Sequence, residues 1–70
     1  MVNIDKLVGA IFERGLNKTT FSKKLGKKGS WFSRKLKNKK FTLEEADSIV
    51  QILDLTSSEA TAIFFSQFVA

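Results

Sequence analysis

The side chains in this sequence best equipped for chemistry are hydrogen-bond donors, and they are gathered in one stretch. Lys18, Lys23, Lys24, Lys27, Lys28, Arg34, Lys35, Lys37, Lys39 and Lys40 follow one another with no Asp or Glu between them. The acids lie elsewhere. Glu44, Glu45, Asp47, Asp54 and Glu59 all come after Phe41, where no Lys or Arg occurs, and the first 17 residues balance Asp5 and Glu13 against Lys6 and Arg14. A surface kept basic only for solubility would mix the two signs. A pure block instead points to a polyanionic partner, with nucleic acid first among them.

Other chemistry is thinly supplied. The chain has no histidine and no cysteine, so the commonest general base and the usual nitrogen and thiolate metal ligands are missing together. Glu44 and Glu45 are adjacent acids, but they fall in the first turn of an expected helix, where carboxylates complement the positive end of the dipole. Thr19-Thr20 and Ser57-Ser58 have no base near them in sequence and read as helix-start residues. The expectation is a binding protein that is not an enzyme, with no cofactor, no metal and no small-molecule substrate.

The 70 residues are 43% apolar, with seven Phe and one Trp to fill a small core. A chain of this length buries only about 60% of its unfolded surface, so residues 1–70 are expected to form one domain. No signal-peptide pattern opens the sequence, and no apolar run approaches the roughly 20 residues of a membrane helix. The lysine block is interleaved with too narrow an apolar stripe for insertion at a membrane surface. A cytoplasmic protein without a membrane partner is expected.

The elements that must position the basic block are helical. Ile4, Leu7, Val8, Ile11 and Phe12 have the i, i+3, i+4 spacing of a helix face, with Asn3 as cap and Gly15 as stop. Asn17 can cap a second helix with Phe21 and Leu25 inward, ended by Gly26, and a short third helix would turn Phe32 and Leu36 inward. Lys37-Asn38-Lys39-Lys40 is polar and aperiodic and is expected to be loop. Thr42-Leu43-Glu44-Glu45 is a capping box opening a fourth helix on Ala46, Ile49, Val50 and Leu53. Thr56-Ser57-Ser58-Glu59 repeats it before Ala60, Ile63, Phe64, Gln67 and Phe68. Five helices in an all-α domain follow.

The second and third helices, joined by a short turn after Gly26, make a helix-turn-helix unit. Gly26 can take the positive φ of a sharp stop, and Ser22 is small enough for a close crossing. If Phe32 and Leu36 point inward, steps of 100° per residue turn Ser30, Arg34 and Lys37 outward, flanked by Trp31 and Asn38. Such an edge suits the major groove of double-stranded DNA, with lysines on the phosphates and side chains at base edges. Arg34 is the best base reader, since guanidinium can give two hydrogen bonds to guanine O6 and N7.

The run Gly15-Leu16-Asn17-Lys18-Thr19-Thr20-Phe21-Ser22-Lys23-Lys24-Leu25-Gly26, with Ser30-Trp31-Phe32-Ser33-Arg34-Lys35-Leu36 and Phe41-Thr42-Leu43-Glu44-Glu45, resembles the Cro/CI-type helix-turn-helix regulators of temperate phages and prophages. The likeness covers most of the chain and implies a compact five-helix domain of the lambda-repressor-like type that regulates transcription from DNA. It also implies phosphate contacts from Asn17 and Lys18, with Lys28, Ser30 and Arg34 facing the groove. The basic rim adds Lys27, Lys28, Lys39 and Lys40 to the phosphate set. This chain departs from the pattern at Lys28-Gly29 and at Trp31, where a small polar residue is usual. Gly29 is expected to weaken the first turn of the third helix by roughly 0.5–1 kcal/mol relative to Ala.

A second reading stays open beside the first. Trp and Arg are enriched at protein–protein hot spots, so Trp31 beside Arg34 could dock on a partner phage repressor, making the chain an antirepressor or modulator. Alternatively Trp31 is half-buried against the second helix. Phe65 and Phe68 are core residues or contacts of a homodimer, Phe65 lying off the main stripe.

Overall fold

In the computed structural model, the described residues are 2–69 for the backbone and 2–64 for the side chains. Among them are five α-helices and no strand: α1 (Ile4–Glu13), α2 (Lys18–Lys24), α3 (Trp31–Asn38), α4 (Leu43–Leu53) and α5 (Ser57–Val69). Each start is set by local chemistry. The Asn3 side chain accepts the Lys6 N–H at 3.1 Å. Asn17 and Thr20 exchange bonds of 2.8 Å across the start of α2. Both expected capping boxes form: Thr42 N–H donates to Glu45 and Thr56 N–H to Glu59, while each hydroxyl accepts the returning amide. Gly15 and Gly26 take φ of 74° and 76°, the left-handed conformation that ends α1 and α2.

The core is a line of aromatic rings with aliphatic side chains around it. Phe21 meets Phe32 edge to face at 5.1 Å, and Phe32, Phe41 and Phe64 continue at 6.2 and 6.4 Å. Leu7, Ile11, Ala46 and Ile49 are fully buried around them. Pairs of this geometry add about 0.5–1.5 kcal/mol each beyond the area they bury, so one continuous contact ties α2 and α3 to the helices behind them. No helix among the described residues is long and apolar enough to cross a membrane.

Two expectations about the elements are corrected. Phe12 is not a core residue: it is 55% exposed, while Ala10 takes the buried position. The reason is where α5 lies. Asn3 N–H donates to the Ile63 carbonyl at 2.8 Å, and Arg14 pairs with Glu59 at 3.4 Å, so α5 runs antiparallel to α1 along its Ala10 side. Arg14 also donates to the Leu53 and Ala10 carbonyls, joining the ends of α1 and α4 to the start of α5. Second, Lys37 and Asn38 belong to α3, and the break comes one residue later at Lys39, with φ 55°. The loop to α4 is therefore short, and Lys37 keeps a helical register with Ser30 and Arg34.

Candidate nucleic-acid interface

The hinge between α2 and α3 is held by one buried hydroxyl. Ser22 is fully buried. Its Oγ–H donates to the Lys18 carbonyl at 2.8 Å, and its Oγ accepts the Phe32 N–H at 3.0 Å. The bond to Phe32 spans two helices and fixes the first turn of α3 on the last turns of α2. Sequence reasoning valued Ser22 for its size alone and missed this polar role, which a lone Ser among apolar helix positions signals only weakly.

Gly29 lies before the N-cap Ser30, outside the first turn of α3 that it was expected to weaken. A Cβ built there would lie 3.0 Å from the Thr19 γ-methyl and 3.8 Å from Lys23 Cε. Its φ is not positive, so the constraint is one of space: a methyl group there fits only if the Thr19 side chain gives by a few tenths of an ångström. It sits at a close approach between the entry to α3 and the Thr19 and Lys23 side chains of α2.

On this frame Ser30, Arg34 and Lys37 are all exposed, as are Ser33 and Asn38. Ser30 caps α3 without a side-chain bond to the backbone, so its hydroxyl stays available. Asn17 and Lys18 are exposed at the start of α2, although Asn17 Oδ1 is occupied by Thr20. Lys27 and Lys28 are exposed in the turn, and Lys23 crosses Gly29 at the entry to α3. Lys39 and Lys40 are exposed beyond the other end of α3, with Lys39 lining a cleft against Val2, Asn3, Ile4 and Asp5. The cations thus bracket α3, whose eight residues span about 12 Å.

Lys35 is the exception within the block. Its Nζ lies 2.9 Å from Glu45 Oε1 and donates to the Lys40 carbonyl at 3.2 Å, binding the third helix to the cap of α4. Burial pushes the Glu45 carboxyl up, but the Lys35 and Thr42 donors outweigh it and hold the group below the ordinary glutamate range. Among the described residues the ion pairs join Arg14 to Glu13 and Glu59 and Lys35 to Glu45. The nine other basic residues from Lys18 to Lys40 therefore pair with no described carboxylate.

Trp31 is half-buried, packed on the core next to Phe32. Lys27 and Lys35 hold their ammonium groups 5.7 and 5.8 Å from its ring centre. Beyond it lies a cleft of about 180 Å³ lined by Leu25, Lys27, Trp31, Glu44, Glu45 and Ser48. Glu44 in its lining marks where the basic block of the sequence gives way to the acidic one. The side chains of Phe65 and Phe68 lie outside the described residues. No known protein family, curated protein or solved structure matches this chain.

Proposed function

We propose that this chain is a DNA-binding transcriptional regulator of phage or prophage type, with a lambda-repressor-like helix-turn-helix, that lays the Ser30–Arg34–Lys37 edge of α3 in the major groove. One observation carries the reading: α3 offers an exposed polar edge, bracketed at both ends by basic residues that no described carboxylate neutralises. A helix fits the major groove, and the cations beside it can fix its register on the phosphates while Arg34 and Ser30 address base edges. Occupying an operator and obstructing or recruiting polymerase would need no cofactor.

Duplex binding measured by fluorescence anisotropy against salt tests this. If about six of the nine cations engage phosphates, the log–log slope is near −5. Arg34→Ala should flatten the preference for the best site by about 1–3 kcal/mol, whereas Lys27→Ala should weaken all sequences alike and reduce the slope by about 1. A chain that binds no duplex at about 50 mM salt, yet forms a tight complex with a phage repressor, would establish the antirepressor reading instead.

A further inference from the structure

We infer, resting on the duplex-binding reading, that Trp31 is a positioning residue for phosphate binding. Its ring orients the Lys27 ammonium at the entry to α3 before DNA arrives, and it does so without neutralising the charge. Lys27 Nζ lies 5.7 Å from the centre of the Trp31 ring. Among the described residues Lys27 pairs with no carboxylate.

Both ends of this contact are held by the hinge. Lys27 N–H donates to the Ser22 carbonyl at 3.0 Å and Trp31 N–H to the Lys28 carbonyl at 2.9 Å, so the backbone that carries the two side chains is tied to α2. The ring is held as well. It packs on the core beside Phe32, with 6.4 Å between ring centres, and Lys35 Nζ lies 5.8 Å from its own centre. Lys35 is anchored in turn by Glu45 Oε1 at 2.9 Å and by the Lys40 carbonyl at 3.2 Å. Trp31 is therefore a fixed platform, and Lys27 is the mobile group that it steadies.

The two lysines on this ring show why an aromatic partner suits a cation that must bind phosphate. Glu45 neutralises Lys35 and takes up its ammonium, which removes that lysine from the phosphate set. A ring attracts an ammonium through its quadrupole and carries no net charge, so Lys27 remains a cation that can donate to a phosphate oxygen. A lysine loses rotamer freedom when a phosphate captures it. Lys27 has surrendered part of that freedom in the unbound chain, so less is lost on binding. Neither base reading nor docking on a protein partner requires this arrangement.

Duplex affinity of the full chain in a double-mutant cycle of Trp31→Leu and Lys27→Ala is the test. Trp31→Leu should weaken binding by about fourfold, the scale of one exposed cation–π contact. The loss should be equal on every sequence and leave the salt slope unchanged, because Lys27 keeps its charge. In the Lys27→Ala background the same substitution should have no further effect. Trp31→Phe keeps a ring and should bind within about twofold of wild type. Circular dichroism verifies that each variant is folded. In the free wild-type chain, NMR should find the ε-methylene of Lys27 shifted upfield of that of Lys28 by the indole ring current. Additive losses in the cycle, or a Lys27 methylene indistinguishable from that of Lys28, overturn the inference and leave duplex binding intact. A loss confined to one sequence would make Trp31 a base reader and overturns it too. A wild-type chain that binds no duplex overturns the duplex-binding reading, and the inference with it.

Discussion

Replacing Ser22 by Ala removes one oxygen and asks whether a single hydroxyl sets the angle between α2 and α3. The alanine fits the same space and is a better helix former, so propensity alone predicts a slight gain. The structure predicts a loss, because the Phe32 N–H, which donates to Ser22 Oγ at 3.0 Å in a buried setting, would have no acceptor. Leaving a buried donor unsatisfied costs about 1–3 kcal/mol. Small domains have about 5–15 kcal/mol of stability in total, and at this size each kcal/mol lowers the melting temperature by about 4–8 °C. Thermal unfolding followed by circular dichroism, with hydrogen exchange at the Phe32 amide, measures both consequences. The exposed Ser33→Ala is the control and should stay within about 0.5 kcal/mol of wild type. If Ser22→Ala is as stable as that control and Phe32 exchanges no faster, the hydroxyl does not hold the hinge and the argument for a rigid α2–α3 unit fails.

Other consequences can be checked in the same way. Gly29→Ala should destabilise by about 1 kcal/mol through its 3.0 Å approach to the Thr19 methyl, and Thr19→Ser should restore much of the loss; a stabilised Gly29→Ala would show that the contact yields easily. Glu45→Gln breaks the 2.9 Å pair with Lys35 and frees a tenth cation in the basic block. It should lower stability by about 1 kcal/mol while steepening the salt dependence of duplex binding by about 1. Glu45 is held below the ordinary glutamate range by Lys35 and Thr42 against burial, and Glu59 mainly by the Thr56 amide. Because their folded pKa values are depressed, their stabilisation is complete above about pH 4.5 and is lost as pH falls through the folded values. With no histidine in the chain, unfolding midpoints should be level from about pH 5 to 8, and a step near pH 6.5 would contradict this account.

The elements of this fold were legible because their ends are chemical. Asn3, Asn17, Thr42 and Thr56 announce four helix starts through side chains that can accept an amide hydrogen, and Gly15 and Gly26 announce two stops. Those signals are local and do not depend on packing. Where a helix faces does depend on packing. The stripe from Ile4 to Phe12 fits a helix facing the core symmetrically, but α5 lies along one side of α1, which buries Ala10 and leaves Phe12 in solvent. Nothing in the spacing of the first segment says where the fifth helix will lie.

The candidate interface divides along the same line. That Ser30, Arg34 and Lys37 lie outward follows from period and from the two inward residues Phe32 and Leu36, all within one helix. Which cations remain unpaired does not, because it depends on contacts between elements: Lys35 looks equivalent to its neighbours until the cap of α4 takes it. Gly29 shows the limit most sharply. In isolation a glycine at a helix entry costs conformational entropy, and that is the only property the sequence displays. Against Thr19, ten positions away, the same residue sits at a close approach of the two helices, and how far that methyl can give decides the sign of its effect on stability. A short two-helix unit of this kind therefore depends on its small residues, Ser22 above all, to set the hinge.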